Sequence, residues 1–135
     1  MAWIKYNPNP RKNRRGQPRR VKDCVVRAFS RATGLSWEES YLLLCAQGFH
    51  DGDMPSSDAV WGERLRRMGF ERIAFPACPP TAGSCYSVAD FADDNPRGIF
   101  VIGTGEHAVC VANGDYYDTW DSGDESPSFV WMKGE

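Results

Sequence analysis

The chain has 135 residues, 41% of them hydrophobic and 13% aromatic, with five Trp, which is material for one packed core and excludes global disorder. Its longest uninterrupted apolar run, Tyr41–Ala46, is six residues, far short of the ~20 that cross a bilayer, so no transmembrane segment is expected. The net charge of −2 conceals a split: residues 1–22 hold eight Lys or Arg and no acid, and the other 113 residues carry 8 basic and 18 acidic side chains, a charge of −10.

That leading stretch contains Pro8, Pro10, Gly16 and Pro18, too many breakers for a helix, and is expected to be a basic extended arm over residues 1–22. No apolar h-region follows its first residues, so it does not read as a secretory signal, and a cytoplasmic protein is expected. The five cysteines (Cys24, Cys45, Cys78, Cys85 and Cys110) are odd in number and, without export, are expected as free thiols. The arm has two readings. It is an electrostatic foot for nucleic acid or an acidic partner, with Trp3 and Tyr6 available for stacking, or it lies across the acidic body.

A first helix is predicted from Cys24, capped by Asp23 and ended by Gly34, with Val25, Ala28, Phe29 and Ala32 on one face. Ser36-Trp-Glu-Glu39 is a capping-box pattern opening a second helix that stops at Gly48. A third starts after Ser57 and runs to Gly69 despite Gly62. Glu71–Phe75 reads as a strand, Pro76–Ser84 as a proline-rich loop, and Ser87–Asp94 as a short capped helix ended near Asn95-Pro96. Then the period changes. Gly98–Gly103 is an apolar strand, His107–Ala112 leads into the hairpin turn Asn113-Gly114, Asp115–Trp120 returns, and Ser128–Lys133 adds another strand. Helices in the N-terminal half packed on an antiparallel sheet from the C-terminal half give an α+β fold over residues 23–135.

Chemistry is expected where the halves meet. Cys24 sits at a helix start, where free N–H groups and the positive end of the dipole favour a thiolate. The alternative for any free cysteine is burial as packing. His107 opens a strand 83 residues downstream, a gap that only folding closes. If Asn113-Gly114 is a two-residue turn, partners across the hairpin sum to 227, so Val109 meets Asp118 and His107 meets Trp120. His107 and Asp118 then share a face as diagonal neighbours, and Asp118 orients the imidazole. Asp121 and Cys110 fall on the other face, and Cys110 is assigned to packing.

A thiolate at a helix start, a histidine on a strand and an acid on the next strand resemble the papain-like cysteine peptidase superfamily, over residues 23–131. The strings Asp23-Cys-Val-Val-Arg-Ala and His107-Ala-Val-Cys-Val-Ala-Asn-Gly-Asp-Tyr-Tyr-Asp-Thr-Trp-Asp are similar to small phage and Gram-positive bacterial proteins distantly related to bacteriocin-leader-processing peptidases. The resemblance implies Cys24 as nucleophile, His107 as base and then acid, and Asp118 as orienter. It implies an oxyanion-hole glutamine ahead of the nucleophile, for which Gln17 is the candidate; the Cys24 backbone N–H is a donor by position alone. The expected activity is hydrolysis of an amide, a peptide or isopeptide bond, in a peptide or protein substrate without a cofactor. The alternative is a catalytically silent binding module that uses the basic arm. Cys78 with Cys85 matches no common zinc knuckle, and Asp115, Asp118, Asp121, Asp124 and Glu125 do not follow a calcium-loop pattern, so no metal site is expected.

Overall fold

A computed structural model describes residues 2–76 and 83–134. Four helices and six strands occur in the order β1 (Trp3–Lys5), α1 (Cys24–Thr33), α2 (Trp37–Asp51), α3 (Asp58–Arg67), β2 (Phe70–Ala74), α4 (Val88–Asp94), β3 (Ile99–Gly103), β4 (Ala108–Ala112), β5 (Asp115–Asp118) and β6 (Phe129–Lys133). The strands form one sheet in the order β1-β5-β4-β3-β6-β2. The α+β class is as expected, with one correction to the all-antiparallel sheet. Trp3–Lys5 of the arm adds an edge strand that runs parallel to β5, pairing Trp3 with Tyr116 and Lys5 with Asp118.

Strand alternation decides what each face buries. Val101, Ala108, Cys110, Ala112, Phe129 and Trp131 point to one face, where Val26, Phe29 and Ala32 of α1, Leu44 of α2, and Trp61 and Leu65 of α3 cover them. Phe100, Ile102, Val109, Val111, Tyr116 and Val130 point to the other, against Val88, Phe91 and Ala92 of α4. The sheet is thus covered on both faces. Gly103 lets the Phe129 ring lie directly on the backbone, and Gly62 does the same for Trp131, whose ring lies 2.7 Å from where a Cβ would stand. A glycine that weakens a helix as a sequence therefore strengthens its packing here.

Helix ends follow local chemistry. Gly34 closes α1 in the left-handed region at φ 77°. Ser36 and Glu39 form the expected capping box of α2, and Ser87 with Asp90 forms another on α4. The expected stop at Gly48 is corrected: α2 runs one turn further, to a left-handed Gly52. Gly48 is there for contact, since a Cβ would stand 2.7 Å from the Asp53 carbonyl oxygen. Asn113 and Gly114 take φ 51° and 85°, the two positive values of a tight hairpin turn. The register is Ala112 opposite Asp115, Val111 opposite Tyr116 and Cys110 opposite Tyr117, the sum of 227 that this turn dictates. Among the described residues no helix is long and apolar enough to cross a membrane.

The cysteines depart in part from five free thiols. Cys24, Cys45 and Cys110 are free, but Cys85 is disulfide-bonded. Cys78, with residues 77–82 of the loop expected around it, lies outside the described residues.

Candidate active site

Cys24 is the first residue of α1, so its N–H is one of the amides that the helix itself cannot satisfy. Asp23, immediately before, occupies the cap position but does not cap; its side chain takes no hydrogen bond from the first turn. It is buried and turned inward. It accepts from Arg27 Nη1, from Trp37 Nε1 at 3.0 Å and from Asn9 Nδ2 at 3.5 Å. The expected cap is thus replaced by an ion pair, because Arg27, one turn along α1, is itself buried at 6% exposure and needs a counter-charge.

The second carboxylate on Arg27 is Asp118, 3.1 Å from Nη2. Asp118 ends β5 and is 1% exposed. It accepts four hydrogen bonds: from Arg27, from Thr119 N at 2.8 Å, from Ser122 Oγ at 2.6 Å and from His107 Nε2 at 2.5 Å. Its backbone carbonyl is held as well, by Tyr6 N at 2.9 Å and Trp3 Nε1 at 3.1 Å. Burial alone pushes its pKa up, but the bonds from His107 and Ser122, with the imidazolium charge and the Thr119 amide, outweigh that and hold it below the usual carboxylate range.

His107 stands one residue before β4, its carbonyl accepting from Thr104 N at 2.9 Å. Strand parity alone would send His107 and Asp118 toward α4 with Val109 and Tyr116. They lie instead at the open end of the β4–β5 hairpin, which the start of α1 reaches. The Trp120 ring packs against the imidazole with centroids 5.0 Å apart. With Nε2 committed to Asp118, Nδ1 is the nitrogen left to face Cys24, whose thiol the imidazole and the Ala108 amide make more acidic. Burial works against an imidazolium, but Asp118 and Cys24 on its two sides prevail and lift His107 from 6.5 to about 9. For Cys24, burial favours the thiol; the His107 hydrogen bond, the Ala108 amide and the charges of His107 and Arg27 outweigh it, and the pKa falls below 9.0. The arrangement favours a thiolate–imidazolium pair over the neutral pair.

Cys24, His107 and Asp118 are therefore brought together. Gln17 is not joined to them: it is exposed, and its side-chain oxygen accepts from Asn13 Nδ2 at 3.4 Å. Cys110 is wholly buried, and its thiol is pushed up to about 12 by burial. Asp121 accepts from the Tyr116 hydroxyl and from Gly123 N, away from the imidazole. Arg27 and Ser122 escaped sequence reasoning. For Arg27 a signal existed, a cation three positions past Cys24 and flanked by Val26, Ala28 and Phe29; for Ser122 there was none. Trp3 and Tyr6 are also spoken for inside the fold, Trp3 through Asp118 and Tyr6 through an edge-on contact with Tyr117 and a 3.1 Å hydrogen bond with Ser30.

A cleft of about 180 Å³ opens between the start of α1 and α2, lined by Lys22, Asp23, Val25, Val26, Tyr41 and Cys45 among others; neither Cys24 nor His107 lines it. Among the described residues no group of three His, Cys, Asp or Glu is placed to hold a metal ion. No protein-family model matches the chain, and neither a curated protein nor a solved structure matches it.

Proposed function

We propose that this is a papain-like thiol hydrolase that cleaves an amide, a peptide or isopeptide bond, through a Cys24 acyl-enzyme. The observation that carries the reading is His107 held by Asp118 through Nε2 at 2.5 Å, close enough to Cys24 that the imidazole lowers the thiol's pKa. The Cys24 thiolate attacks the carbonyl carbon, forming a carbon–sulfur bond and pushing the π electrons onto oxygen. The Cys24 N–H at the helix start faces the developing oxyanion. The His107 imidazolium gives its proton to the departing amine as the carbon–nitrogen bond breaks, leaving a thioester. Neutral His107 then takes a proton from water, hydroxide adds to the thioester, and the carboxylic acid leaves as the thiolate and imidazolium are restored. Asp118 stays ionised throughout and keeps the ring aimed.

The test uses p-nitrophenyl acetate, an activated ester that acylates nucleophilic thiols. Mass mapping after a short incubation should find acetyl on Cys24, in preference to Cys45 and Cys110, and His107→Ala should abolish the preference. Acetyl spread evenly between Cys24 and Cys45 would overturn the proposal.

A further inference from the structure

We infer that residues 10–22 form an electrostatic recognition element for the substrate of the Cys24 site, selecting a polypeptide that is acidic beside the bond to be cut. This rests on the reading of Cys24 as the nucleophile. The segment is tied down at both ends next to that residue. Asn9, buried at 6% exposure, bonds through Nδ2 to Asp23, the residue that precedes Cys24, so the intervening chain leaves the site and returns to it. Upstream of Asn9, Tyr6 and Trp3 hold the carbonyl of Asp118. The stretch expected as an extended arm is a loop rooted beside the candidate site.

The loop is also built. Lys12 bridges Pro18, Asn13 N bonds the Gln17 carbonyl at 2.9 Å, and Asn13 Oδ1 accepts from Arg15 N at 2.9 Å and Gln17 N at 3.0 Å. A preformed hairpin presents Arg14 and Arg15 at its tip with less ordering cost on binding than a flexible tail. All seven basic residues of the segment, Arg11, Lys12, Arg14, Arg15, Arg19, Arg20 and Lys22, are exposed. Among the described residues none of them is in an ion pair; the pairs present involve Arg27, Arg66, Arg67, His50 and His107. A body with ten more acids than bases leaves this loop unneutralised. Lys22, exposed and two residues before Cys24, brings the charge of the loop up to the start of α1. Seven unpaired cations within a short loop concentrate an anionic ligand at that spot, an attraction that salt weakens. An acyl-transfer site acts on a carbonyl carbon, which favours an acidic polypeptide over nucleic acid as the occupant.

The full chain is tested by protection of Cys24 from iodoacetamide, read by mass spectrometry against Cys45. The probes are hexaglutamate, hexalysine and an oligothymidylate of equal charge. Hexaglutamate should slow Cys24 alkylation at least about threefold at low salt; hexalysine should not, and half-molar salt should remove the effect. The combined Arg14→Gln, Arg15→Gln, Arg19→Gln and Arg20→Gln protein, with its fold checked by its thermal melt, should lose the protection. If Cys24 is selectively alkylated but hexaglutamate does not protect it, the inference fails and the thiol site stands. Oligothymidylate that binds without protecting Cys24, or protects it as well as hexaglutamate, also overturns the inference. If Cys24 shows no preference over Cys45 in the protein alone, the site reading fails first.

Discussion

Asp118→Asn is the sharpest perturbation of the proposed site, because it keeps the shape and removes one charge. The amide retains one acceptor oxygen where the carboxylate serves four donors. Lifting His107 from 6.5 to about 9 corresponds to roughly 3 kcal/mol of preference for imidazolium, with Asp118 the foremost cause favouring charge. Without the carboxylate, burial of the ring is opposed by Cys24 alone, and the imidazole reverts toward neutral. The thiolate then loses its counter-charge. A thiol returned to 9.0 is only about 1% ionised at pH 7. A less acidic thiol gives a more nucleophilic thiolate, which recovers part of the loss, so Cys24 alkylation by iodoacetamide at pH 7 should slow by at least about threefold. Stopped-time alkylation with peptide mapping measures it. A rate within twofold of the parent protein, with an unchanged pH dependence, refutes the reasoning.

Arg27→Met leaves Asp23 and Asp118 buried without their shared counter-charge and should cost about 3–5 kcal/mol, a fall in Tm of roughly 10–15 °C; a loss under about 1 kcal/mol contradicts it. Gly62→Ala gains up to about 1 kcal/mol of helix propensity but drives a methyl into Trp131, so urea melts should show a net loss of about 1–2 kcal/mol, and a gain would mean that the ring is free to move. A histidine whose folded pKa is raised adds stability in full below its unfolded value of 6.5 and loses it as pH rises through the folded value. With Cys24→Ala as background, so that no thiolate titrates at the site, Asp118 still holds His107 above 6.5, so the stability added by His107 over His107→Ala should fall as pH rises above 6.5, and a flat difference contradicts the His107–Asp118 pair.

What could be read from the chain was local. Asp23 and Gly34 bracket α1 to the residue, and Asn113-Gly114 fixes the β4–β5 register, from which Asp118 rather than Asp121 falls beside His107. What could not be read was set by distant partners. β1 is three residues with no periodicity of its own, and its strand character comes from Tyr116, Tyr117 and Asp118, more than a hundred positions away. Asp23 was legible as a cap because the cap position is local; besides Arg27, one turn along, its partners Trp37 and Asn9 are each 14 residues off. Gly48 read as a helix stop because glycine most often marks one, whereas here it admits the Asp53 backbone. An odd count of cysteines excludes complete pairing but not a single bridge, and Cys85 is in one.

The central claim is that folding makes Cys24 an ionised sulfur held by a charged imidazole. The pH–rate profile of Cys24 alkylation, followed beside that of Cys45 in the same sample, tests it most directly. Cys24 should stay reactive below the range of an ordinary thiol and show a second inflection near pH 9, where the His107 proton leaves. A single inflection near 9.0, shared with Cys45, would contradict it.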